Sequence, residues 1–104
     1  MKQLKFFKTK FALVGPYIKD ENRNVCFTII CDNELAQDIV NKLNGNGKTK
    51  FNARKKMDYI LIDNVIVLKT RGWGYLTGTL KLTSQQAKKE QDNLMNYVVK
   101  MLRK

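Results

Sequence analysis

Residues 58–70 read Asp58-Tyr59-Ile60-Leu61-Ile62-Asp63-Asn64-Val65-Ile66-Val67-Leu68-Lys69-Thr70. Two short apolar runs, rich in β-branched residues, flank an Asp-Asn pair. Each run has the length of a strand, and both loop residues tolerate the positive φ that a two-residue hairpin turn demands. The stretch therefore predicts a hairpin of Asp58 to Ile62 against Val65 to Thr70. A second hairpin is predicted upstream, Phe11 to Ile18 against Val25 to Cys31, across the polar loop Lys19-Asp20-Glu21-Asn22-Arg23-Asn24. Leu4 and Phe6 suggest a short N-terminal strand, and Tyr75 to Leu82 a further strand or an extended loop.

A helix follows each hairpin. Asp32 or Asn33 can cap the first, where Leu35, Ala36, Ile39, Val40 and Leu43 recur on one face. Asn44-Gly45 supplies a left-handed stop. The second helix opens on Thr83-Ser84-Gln85-Gln86, which fits a capping box. Its apolar face is Ala87, Leu94, Met95, Val98, Met101 and Leu102, interrupted by Gln91. The fold class is thus α+β, in the order β-β-α-β-β-α, with a structural pseudo-repeat of its two halves. Each helix has one stripe to bury, which predicts both helices on one face of an antiparallel sheet. A ferredoxin-like chain runs β-α-β-β-α-β, with its last strand beside its first. Moving that strand to the front gives the order here, so a permuted ferredoxin-like sheet is the expected architecture.

The 104 residues are the size of one domain, residues 1–104, with one core. At 43% hydrophobic and 28% charged, the composition is too apolar for disorder. The longest apolar runs are far too short to span a bilayer. Lysines punctuate the N-terminal stretch through Lys10, which leaves no uninterrupted apolar segment for a signal peptide. Cys26 and Cys31 lie too far apart on one regular strand to bridge, and two unpaired thiols suit a reducing, cytoplasmic setting.

Catalytic groups are sparse. The chain has no histidine, which removes the usual triad base and the commonest metal ligand. Two cysteines without histidine are a poor zinc set. Glu34 and Asp38 read as a solvated helix face. Gly45-Asn46-Gly47-Lys48-Thr49 superficially resembles a phosphate loop, but Lys42 stands where that pattern needs glycine, and the loop follows a helix where it should follow a strand. The expectation is a protein that is not an enzyme, with no metal and no small-molecule cofactor.

Charge points elsewhere. Twenty Lys and Arg face nine Asp and Glu, a net charge of +11. Such a field attracts polyanions, nucleic acid first among them. Sixteen of the cations are Lys, the less specific phosphate ligand, so solubility is the plainer account of the excess. Between Gly45 and Met57 lie Lys48, Lys50, Arg54, Lys55 and Lys56, with no acid among them. Dense like charge predicts a mobile loop that either contacts phosphates or is simply solvated. Arg71-Gly72-Trp73-Gly74-Tyr75-Leu76-Thr77-Gly78 resembles the aromatic strand motif of RNA-recognition domains. Arg71, Gly72, Gly74 and Tyr75 match it, Trp73 and Leu76 are chemically near, and Gly78 stands where an aromatic belongs. The resemblance implies bases stacking on Trp73 and Tyr75 beside Arg71. The same segment also suits a tight loop whose indole plugs the core.

The run from Arg71 to Gly78, the Thr/Ser-capped helix with Gln91-Asp92, and the ending Tyr97-Val98-Val99 are together similar to small uncharacterised proteins of bacterial phages and mobile elements. That resemblance covers about the last third of the chain. It implies a bacterial cytoplasmic origin and no activity to carry over. Two functions remain open: a nucleic-acid-binding module, or a protein-interaction or structural accessory domain. A homodimer closed over the helix-free sheet face is compatible with either.

Overall fold

The computed structural model describes residues 10–21, 25–70, 78 and 81–104. Within them the strands are β1 (Phe11–Val14), β2 (Tyr17–Asp20), β3 (Val25–Ile30), β4 (Ala53–Lys55), β5 (Tyr59–Ile62) and β6 (Ile66–Thr70). Helix α1 (Asn33–Leu43) follows β3, and α2 (Ser84–Arg103) follows β6. The chain is α+β, with one antiparallel sheet in the order β1-β2-β3-β6-β5-β4. Its four inner strands, β2-β3-β6-β5, stand in the order that the permuted ferredoxin-like arrangement requires. β1 and β4 extend that sheet by one strand on each side. Each half therefore runs β-β-β-α, and the β3/β6 pair lies at the pseudo-twofold between them.

The two added strands depart from the sequence reading, each for a local reason. Phe11 to Ile18 is not one strand. Gly15 takes φ +62 and, with Pro16, turns the chain so that Val14 pairs with Tyr17. Glycine at the first central position is what a tight hairpin turn of this hand uses. Nor is the basic stretch 45–57 a free loop. A glycine-ended C-cap closes α1: Asn46 N–H reaches Asn41 O, Gly45 N–H reaches Lys42 O, and Gly45 has φ +83. Gly47 then passes so close to α1 that an added Cβ would sit 2.9 Å from Lys42 Cα. Phe51 is buried, and its N–H donates to Leu102 O. Ala53, fully buried, opens β4.

The turn between β5 and β6 carries the expected positive φ at Asp63 (+53) and Asn64 (+63). Val65 closes it onto Ile62, and the ladder resumes with Ile62 opposite Ile66. The connection is thus three residues long, not two, and Val65 is left exposed. The expected strand at Leu4 and Phe6 lies outside the described residues, as does most of Tyr75 to Leu82.

Both helices cover the same face. α1 packs on β1 and on α2, while α2 packs on β4 and β5. Asp32 caps α1 by accepting from Leu35 N–H, and Thr83 with Gln86 forms the reciprocal box that starts α2. One core results, drawing on all six strands and both helices. Ile18, Phe27, Ile60, Ile62, Leu68, Ile39, Val98 and Leu102 are wholly enclosed in it. Each such side chain contributes roughly 1.5–3 kcal/mol on removal from water. Lys42 is also buried, and its ammonium donates to the backbone oxygen of Lys104, where helix carbonyls lack partners.

Candidate functional site

Alternation along the strands decides what the helix-free face displays. Ile60 and Ile62 point to the helices, so Tyr59 and Leu61 point away. Ladder partners share a face, which extends the assignment across the sheet. Tyr59 stands opposite Lys69, Lys69 opposite Thr28, and Thr28 opposite Tyr17. These four make one row across β5, β6, β3 and β2. The next row runs Arg54, Leu61, Val67 and Ile30. Lys19 lies on the same face opposite Val25, and Val14 opposite Tyr17.

This face carries Tyr17 and Tyr59, both half-buried, and the cations Lys19, Arg54 and Lys69. Ile30 (60% exposed) and Val14 (47%) add bare apolar surface. No outward position of the described strands holds an Asp or Glu. Their one carboxylate, Asp20, points inward and is buried.

The cations singled out in the sequence do not form one group. Lys48 and Lys50 are exposed on the connection that leaves α1 and passes the end of α2. Of those among the described residues, Arg54 alone reaches the helix-free face, where it donates to the Asn64 side chain. Lys55 turns to the helix side and lies 3.6 Å from Asp92 on α2. Lys56 is exposed beyond β4, with its N–H donated to Tyr59 O. Arg71, Trp73 and Tyr75 follow Thr70, the end of central strand β6, and lie outside the described residues.

Tyr17, Lys19, Tyr59 and Lys69 were not singled out, although the signal was present. In the stretch 58–70, strict alternation assigns Ile60, Ile62, Ile66 and Leu68 to one face and Tyr59, Leu61, Val67 and Lys69 to the other. Clustering of charge in the sequence does not mark Lys19 and Lys69, which only the ladder brings to one face.

The thiols are poorly disposed to react. Burial, and then the negative charge of Asp20, push the Cys26 thiol far above its ordinary range. Partial burial, and then Asp32, raise that of Cys31. No disulfide joins Cys26 to Cys31. Among the described residues no three His, Cys, Asp or Glu side chains gather where a metal ion could be held. Among them, too, no helix is long and apolar enough to cross a membrane.

Fold and face together define a two-layer α+β protein with a cationic, tyrosine-bearing sheet surface opposite its helices. Comparison with protein-family models, with curated proteins and with solved structures finds no match to the chain.

Proposed function

We propose that this chain is a nucleic-acid-binding module whose contact surface is the helix-free face of the sheet. The observation that carries the reading is the composition of that face: among the described residues it holds three cations and two tyrosines, with no carboxylate at an outward strand position. A polyanion gains from such a surface by releasing its counterions. The alternative partner, a second copy of the chain, gains less. Face against face, it would set Lys19, Arg54 and Lys69 against their own equivalents with no acid between them, and like charges in a closed interface are costly. Arg71, Trp73 and Tyr75 enter the proposal from the sequence alone. We take the module to be non-catalytic and to act in a reducing compartment.

The test is a pair of charge reversals of equal size. Lys19→Glu/Lys69→Glu changes the face, and Lys48→Glu/Lys50→Glu changes the connection at the helix ends. Titration of a labelled oligonucleotide at low salt should show at least a tenfold loss for the first pair and a smaller loss for the second. Equal losses would mean that bulk charge, and not this face, does the binding. Absence of any wild-type binding at low salt would leave the interaction-domain reading in its place.

A further inference from the structure

Resting on that reading, we infer that the face selects single strands, stacking unpaired bases on Tyr17 and Tyr59. The two tyrosines occupy one row, with Thr28 and Lys69 between them. Three strand spacings of about 4.8 Å put their backbones about 14 Å apart. That span suits roughly two or three bases laid across a sheet. Both rings are half-buried, which holds them in place and leaves surface for a base to cover. Lys69 is the direct neighbour of Tyr59, and Lys19 lies two residues along β2 from Tyr17. Each ring thus has a cation beside it for the phosphate of the base it stacks.

The neighbouring row adds the second part of the selection. Ile30, Val67 and Leu61 form an apolar strip that ends at Arg54. An apolar strip has nothing to offer a phosphate ridge, whereas the flat face of an unpaired base can cover it. A duplex hides its base faces and presents phosphates and groove edges. Base–aromatic stacking tolerates any base, so the expected ligand is a single strand of broad sequence.

The experiment compares three probes of the same length, about twelve nucleotides, on the intact protein. They are a labelled oligothymidine strand, an abasic strand with the same phosphates, and a hairpin duplex. The thymidine strand should bind at least tenfold more tightly than either of the others. Tyr17→Leu/Tyr59→Leu should lose about tenfold on the thymidine strand and nothing on the abasic one, while Tyr17→Phe/Tyr59→Phe should stay near wild type. The abasic and duplex comparisons alter no residue, so they stand even if the Leu variant misfolds. Equal binding of all three probes would overturn the stacking inference and leave the electrostatic reading intact. Binding to none of them would overturn both. A protein that is dimeric at the titration concentration and becomes monomeric in the Leu variant would assign the face to a second copy instead.

Discussion

Cys26 owes its position to one extra residue in a ladder. Ile18 stands opposite Phe27, but Lys19 stands opposite Val25, so β3 slips by one residue against β2. In a regular strand Cys26 and Phe27 would face opposite ways. At this bulge both are fully buried. The thiol lies close enough to the buried Asp20 for the carboxylate's charge to add to the effect of burial. Both raise the folded pKa above the unfolded value near 9.0. The group therefore contributes its full stability below pH 9 and loses it as the pH rises, because the unfolded chain can release a proton that the folded chain holds. Between pH 8 and pH 10 the wild type should lose about 1 kcal/mol more than Cys26→Ala, a difference of one proton over one pH unit above the reference value. Urea titrations at the two pH values measure it, and parallel losses in both proteins would refute the assignment. The sequence offered no sign of this bulge, because its two residues look like any apolar pair in a strand. The caps are the contrary case. Asp32 on Leu35, Thr83 with Gln86, and Gly45 at positive φ are local geometry, and local spacing in the sequence announces them.

At the scale of elements, Asn44 joins two parts of the chain that the sequence shows 33 residues apart. Its side-chain oxygen accepts from Phe11 N–H, and its side-chain nitrogen donates to Phe11 O, each at 2.8 Å. The amide thereby does for β1 what another strand would do, on the outer edge of the sheet. It fixes the end of α1 to that strand and covers part of an edge that could otherwise pair with a second molecule. Asn44→Ala removes both partners from Phe11. It should lower stability by about 1–3 kcal/mol in urea unfolding. It should also increase concentration-dependent self-association, visible by light scattering. An unchanged midpoint with unchanged scattering would show that water satisfies Phe11 as well as the amide does. Such a contact cannot be read from periodicity, since nothing near Asn44 or Phe11 in the sequence marks the other. The split of Phe11–Ile18 at Gly15-Pro16 was more accessible, because that dipeptide is itself a turn signal inside an otherwise strand-like run. β4 was harder. Three residues with two cations resemble a loop, and only the alternation of buried Phe51 and Ala53 hints at a strand.

The whole molecule is organised around the β3/β6 pair, with each helix lying over the first strand of its own half. That both helices cover one face followed from the element order, since two amphipathic helices after two hairpins leave few ways to cover it, whereas β1 and β4, the strands they lie over, were not part of that order. The site was less legible. Cations clustered in sequence are parted in space: Arg54 goes to the bare face, Lys55 to Asp92, and Lys48 and Lys50 to the helix ends. Cations far apart in sequence, Lys19 and Lys69, come to one surface through the ladder. Acids gather instead around the start of α1, where Asp32, Glu34 and Asp38 are all exposed. A net charge of +11 on so small a body repels itself, and its folding should reflect this. Added salt shortens the reach of that repulsion to about 10 Å at 0.1 M. The urea midpoint should therefore rise between low salt and a few tenths molar sodium chloride, while nucleic-acid affinity falls over the same range. The opposite signs matter, because a protein that merely unfolded with salt would lose both together. If the midpoint fell with salt, attraction in pairs such as Lys55 with Asp92 would outweigh repulsion. Self-repulsion would then not limit the stability of the fold, although the net charge of +11 and its pull on a polyanion would remain.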